Sequence, residues 1–312
     1  MKKIFLYSFL VLGVYAAKAQ DDLLGGLVKD DAAVVKQNIT SATFKSTRII
    51  NMQSVEMTGA GNLQFMISHH FGQIWQNGAG WKNAAQMFGL NAGVANTYLA
   101  VDYSPNKWLN LGVASTGNSQ FEGWAKFKIL RQQTGKKNIP VTVAWFSSFH
   151  ADASDGPSIN DNAWNRFSYL NQLLVARKFN DNFSLQVMGS LIHNNITTYG
   201  VNNSNNTFSV GFGGRYKLTR KSAFTLEYSR QLSNYKNLID ETGSVYSYKP
   251  DLLSLGYDWD TGGHIFQFFI SNTSMASNFT QLSANTSKLT AFALGFNLNR
   301  SFGIKKVVKV AP

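Results

Sequence analysis

Alternation with a period of two runs through most of this chain and constrains its fold more than any other feature. Twelve segments carry it: residues 62–72, 96–103, 108–114, 121–131, 139–149, 167–179, 183–193, 207–218, 223–232, 252–259, 264–272 and 289–299. In "TFSVGFGGRYKL" (207–218), Phe208, Val210, Phe212, Tyr216 and Leu218 take one parity, while Arg215 and Lys217 take the other. In "FEGWAKFKILR" (121–131), Phe121, Ala125, Phe127 and Ile129 alternate with Glu122, Lys126 and Lys128. Successive side chains of a β-strand point to opposite faces, so these segments predict strands with one greasy face and one polar face. "FSYLNQLLVARKF" (167–179) is apolar on both parities and carries the weakest signal.

The connections alternate too. Short links follow the even-numbered strands: "SPNK", "QQTGKKN", "NDN", "TRKSA" and "DTGG". Long polar links follow most odd-numbered strands, at about 72–91, 150–164, 194–206, 233–250 and 272–287, with 115–120 as the exception. Short turns at one end and long loops at the other are the pattern of outer-membrane barrels, whose short turns face the periplasm. A soluble barrel would put its apolar parity inside and need a charged exterior. Only 15% of the residues are charged, whereas Phe, Tyr and Trp number 23, 12 and 7. The polar parity, rich in Ser, Thr, Gly, Asn and Gln, suits a watery lumen. Aromatics near strand ends (Tyr103, Trp108, Phe179, Phe183, Trp259) suit interfacial girdles. The fold class is therefore all-β: a transmembrane antiparallel up-and-down β-barrel of about 12 strands, in contact with outer-membrane lipid. In the hairpin around "TRKSA" (219–223), a five-residue turn would place Leu218 opposite Phe224, and Arg215 opposite Glu227.

The N-terminus reads as an export signal. Lys2 and Lys3 precede an apolar run too short to span a bilayer, and Ala17-Lys18-Ala19 predicts cleavage before Gln20. The organisation expected is a signal peptide at 1–19, an N-terminal periplasmic or lumenal segment at 20–61, the barrel at 62–303 and a short basic tail at 304–312. The 20–61 segment departs from the barrel pattern, and "ATFKSTRIINMQSVEM" within it reads as one or two short strands. There is no cysteine, which excludes disulfides and thiolate metal sites. The net charge of +12 comes from scattered Lys and Arg rather than a basic run, which argues against nucleic acid.

Several stretches together are familiar: "TFKSTRIINMQSVEM" (43–57), "GNLQFMISHHFG" (61–72), "FKILRQQTGKKNIPVTV" (127–143), "SYLNQLLVARKFND" (168–181) and "GFGGRYKLT" (211–219). They resemble an uncharacterised family of bacterial outer-membrane β-barrel proteins, a domain of unknown function common in Bacteroidetes. The resemblance runs from about Thr43 to Phe302. It implies fold and location, and it offers no catalytic residues.

Candidate chemistry is sparse. His69 and His70 are adjacent and point to opposite faces of a strand, so they cannot share a metal. Ser68 with His70, and Ser148 with His150, place a serine and a histidine on one face, without an identifiable third partner. Asp152, Asp155 and Asp161 miss the calcium-loop spacing. No catalytic residue, metal or cofactor is expected, and the chain does not read as an enzyme. The informative set is the lumenal charges: Lys126, Lys128, Arg215 and Lys217, partly offset by Glu122, Glu227 and Asp258, with Arg215 neutralised by Glu227. They point to a narrow channel or uptake barrel whose lumen favours anions and passes a small anionic solute. The alternative is a non-conducting barrel that docks an envelope protein partner, such as an export or electron-transfer assembly.

Overall fold

The computed structural model describes residues 37–74, 95–117, 119–155, 162–196, 205–233, 235–239, 243, 245–248, 251–285 and 287–304. The expected signal peptide, the tail beyond 304 and Asp161 lie outside the described residues.

Twelve strands close into a barrel. They are β1 (Asn62–Gln73), β2 (Asn96–Tyr103), β3 (Leu109–Gly117), β4 (Gln120–Leu130), β5 (Thr142–Asp152), β6 (Phe167–Lys178), β7 (Phe183–Asn194), β8 (Asn206–Lys217), β9 (Ser222–Gln231), β10 (Asp251–Asp260), β11 (His264–Ser271) and β12 (Ala293–Gly303). Each pairs antiparallel with its sequence neighbours, and β12 pairs with β1 to close the cylinder. Each strand corresponds to one alternating segment, including the ambiguous 167–179. A two-stranded hairpin, Tyr235–Ile239 with Val245–Tyr248, stands in the long loop between β9 and β10.

The aromatic and aliphatic parity faces outward. Phe212, Leu255 and Phe268 are 44%, 54% and 47% exposed, values a soluble protein would not tolerate on every strand. This is the lipid-facing belt. The short turns gather at the end where β1 begins and β12 ends, which the same rule makes periplasmic.

The hairpin of β8 and β9 is tighter than the five-residue turn expected. Thr219 Oγ1 accepts from the backbone N–H of Lys221 and Ser222, 3.1 Å each. This local bond draws Ser222 and Ala223 into the ladder. Arg215 therefore opposes Thr225, and Glu227 opposes Gly213. The register is shifted by two residues, which leaves every side chain on the face assigned to it.

The inner face corrects the expectation of a watery lumen. Tyr98, Trp124, Phe146, Leu174 and Met188 all point inward and are buried. They pack with Phe44, Ile49, Ile50, Met52 and Val55, from the segment that precedes the barrel, in one apolar cluster. Two inward glycines of β8 make room for this segment. A β-carbon at Gly213 would overlap Cδ1 of Ile49, and one at Gly211 would lie 2.8 Å from Cε of Met52. We expect Gly213→Val to cost about 1–3 kcal/mol of stability through overpacking. The double variant with Ile49→Ala should recover part of that loss in urea titrations of the vesicle-folded protein. Equal stability of Gly213→Val and wild type would refute the close approach.

Candidate functional site: a stoppered lumen

Residues 43–58 form the inner stopper. Its centre is a tight reversal: Arg48 bridges Gln53, Ile49 N–H donates to Met52 C=O at 2.8 Å, and Ser54 N–H donates to Thr47 C=O at 3.0 Å. Such a reversal leaves backbone groups at its tip unpaired, and these must find partners once they are buried. The barrel wall supplies them. The N–H groups of Ile50, Asn51 and Met52 converge on the Glu227 carboxylate, with shortest contacts of 3.3, 3.0 and 3.0 Å. Successive N–H groups turned inward make a concavity suited to an anion; here the anion is a wall side chain.

Lys126 performs the mirror task. Its ammonium donates to the carbonyls of Thr47, Ser54 and Glu56 at 3.0, 3.0 and 3.1 Å. An ammonium has three donors, so its hydrogen-bonding capacity is filled. Uncharged amides complete the cradle. Gln186 accepts from Val55 N–H at 2.9 Å and donates to Gln53 C=O at 2.6 Å. Gln267 donates to Ile49 C=O at 2.6 Å, and Asn297 to Ile50 C=O at 2.8 Å.

A second obstruction descends from the long loop between β11 and β12. It carries a short helix, α1 (Asn278–Ala284), whose Phe279 and Leu282 are buried. Gln172 of β6 donates to Asn278 Oδ1 at 3.1 Å, and Gln231 of β9 donates to Leu282 C=O at 3.0 Å. The two obstructions meet through Glu122. Arg48 of the stopper donates to the Tyr98 hydroxyl, which donates to Glu122 at 2.9 Å. Glu122 also accepts from Ser277, just before α1, and lies 3.2 Å from His150 Nδ1.

Six of the charges singled out in the sequence thus have distinct surroundings. Lys126 and Glu227 bind the stopper, and Glu122 joins it to the α1 loop. Lys128 lies 3.8 Å from Glu56 of the stopper. Arg215 is 4% exposed, and its Nε finds no partner. Glu227 is not its counter-ion, because it is committed to the stopper. Lys217, half-buried, sits at the periplasmic end of β8. His150 pairs with Glu122 and Gln120 and stacks on Phe279, with ring centroids 4.6 Å apart. His69 hydrogen-bonds Thr97 at 3.0 Å, whereas His70 lies buried against Phe269, so the two histidines are separated by the wall.

Sequence reasoning missed Gln186, Gln267, Asn297 and Tyr98. A usable signal was present. Inward amides offer a donor and an acceptor together, which is what a buried peptide backbone needs and what a lipid-facing position never does.

The periplasmic rim is basic. Lys107, Lys136, Lys137, Arg177, Arg220 and Lys221 are exposed on or beside the short turns, where Asp181 is the exposed carboxylate among the described residues.

A closed twelve-stranded barrel with a lipid-facing belt and short periplasmic turns is a bacterial outer-membrane β-barrel. Within that class, the chain belongs to the family described as the membrane bound beta barrel domain (DUF5777), whose profile matches residues 44–302. The match begins inside the stopper, so the family takes in both the wall and most of what fills it. Among curated proteins no relative matches. Solved structures of similar architecture include an outer membrane channel from Pseudomonas putida F1, with 10% identity and a TM-score of 0.47, covering 79% of this chain and 97% of that one. The NanC porin has 8% identity and a TM-score of 0.46, covering 77% and 98%. A FadL homologue from Pseudomonas aeruginosa has 10% identity and a TM-score of 0.39, covering 87% and 99%.

Proposed function

We propose that this protein is a non-conducting outer-membrane barrel, stoppered by its own residues 43–58, that serves as a docking platform for an anionic envelope partner at its periplasmic rim. The observation that carries this reading is the pairing of Glu227 with three stopper N–H groups and of Lys126 with three stopper carbonyls. A channel wall has no use for charges spent on a fixed peptide. The exposed cations of the rim supply the complementary charge for a partner. The reading assigns no catalytic role; among the described residues, the inward histidine beside a carboxylate, His150, is held by Glu122, Gln120 and Phe279.

The second reading is a narrow anion-favouring channel. One observation favours it: Arg215 and Lys217 line the inner wall without an ion pair among the described residues. It requires residues 43–58 to leave the lumen.

Planar-bilayer recording separates the two. Wild-type protein should give no conductance steps. A variant with Asn51→Cys and Ser254→Cys, whose native side chains hydrogen-bond at 2.9 Å, should be equally silent when oxidised. The chain has no other cysteine to interfere. Steady anion-selective steps in wild type, abolished by oxidation of the pair, would establish the channel and overturn the proposal.

A further inference from the structure

We propose that Arg215, Thr225 and Lys217 form an oxyanion-binding site at the periplasmic mouth of the lumen, taking the phosphate or carboxylate group of a small soluble anion. This inference is independent of whether the stopper ever moves.

Arg215 lies on the inner face of β8, two residues before its periplasmic end. That is roughly 7 Å of strand rise from the rim. Its relative exposure is 4%, and Thr225, directly opposite on β9, is exposed by 2%. Arg215 Nε and Thr225 Oγ1 are both enclosed, and neither has a hydrogen-bond partner. Buried polar groups are rarely left in this state, and here two on paired strands lack a partner. Lys217 follows on the same face, nearer the mouth.

Three carboxylates act on Arg215 from a distance, Asp258 foremost, and none forms an ion pair with it among the described residues. Asp258, diagonal to Arg215 across β9, accepts from Gln267 at 3.1 Å. Asp260 pairs with Lys45 at 2.7 Å. Glu56 accepts from Thr43 N–H at 2.7 Å and faces Lys128. Asp258 is thus the acid that competes with a bound anion for Arg215. A guanidinium edge presents Nε and a terminal nitrogen side by side, which matches two oxygens of a phosphate or carboxylate. Thr225 adds a hydroxyl, and Lys217 adds long-range attraction at the entrance. Arg215 and Lys217 stand on the inner face rather than on the belt, so the ligand proposed is a free anion and not a lipid headgroup.

The test is calorimetric titration of full-length protein in neutral detergent, at fixed ionic strength, with inorganic phosphate and, separately, acetate. Wild type should bind one equivalent saturably. Arg215→Gln should weaken binding at least tenfold, and Lys217→Gln severalfold. Asp258→Asn, which removes the nearest competing acid, should strengthen it. Arg215→Lys keeps the charge but loses the fork, and should fall between wild type and Arg215→Gln. A preference for phosphate over acetate would assign the ligand as a phosphate. Equal binding would leave any oxyanion as the ligand, as proposed. Tryptic protection of Arg48 reports that each variant remains folded. Absence of saturable binding by folded wild type, or unchanged binding by folded Arg215→Gln, overturns the site. So would weakened binding in Asp258→Asn. Addition of anionic phosphatidylglycerol to the detergent should not compete with phosphate; competition would place the anion site on the lipid side.

Discussion

Replacing Glu227 with alanine should release the stopper. Three buried N–H groups would lose their acceptor at once. Each orphaned donor costs about 1–3 kcal/mol, so a loss of about 3–5 kcal/mol is expected after some relaxation. The observable is local. Arg48 is 4% exposed, and trypsin should spare it in wild type. In Glu227→Ala, cleavage after Arg48 should become rapid while the barrel itself resists. Glu227→Gln keeps one acceptor oxygen and should show intermediate protection. If Glu227→Ala protects Arg48 as well as wild type does, the stopper is not held by this carboxylate, and the proposed closed state loses its main support.

The second large effect belongs to the outer face. Phe212, Leu255 and Phe268 point outward in the middle portions of their strands, and Leu294 points outward as the second residue of β12. Arginine at the position nearest the bilayer midplane should cost about 2–4 kcal/mol, whereas Trp259→Arg, at the end of β10, should cost about 0–1 kcal/mol. Equilibrium folding into lipid vesicles, titrated with denaturant, measures both. Equal tolerance of arginine at Phe212 and Trp259 would contradict the depth assignment.

The wall was legible in the sequence because lipid imposes one rule on every strand. Each outward residue must be apolar, so Phe208, Val210 and Phe212 declare the face without reference to any other strand. Even the register error around Thr219 left the faces intact, because it was an error of two residues. The contents of the barrel were not legible in the same way. An inward Gln or Lys is compatible with water, with an ion pair or with a peptide, and parity does not distinguish them. Lys126 and Glu227 were found as lumenal charges. Their partners were not, because those lie about 70 to 177 residues away in sequence. Residues 43–58 were obscure for a further reason. They use no repeating element, so neither period two nor period 3.6 marks them.

The stopper also bears on how the cylinder is assembled. Its tip takes one partner from β9 and another from β12: Glu227 is 177 residues from Ile50, and Asn297 is 247 residues from the same residue. Contacts of such high order form late, because the intervening chain must first be brought together. The peptide made first is thus satisfied last, when the final strand arrives beside β1. A nascent barrel short of β12 holds an Ile50 carbonyl without its donor and a seam without its partner. The Asn297 contact to the stopper and the seam with β1 therefore depend on the same strand. The stopper thereby ties what fills the cylinder to the strand that closes it.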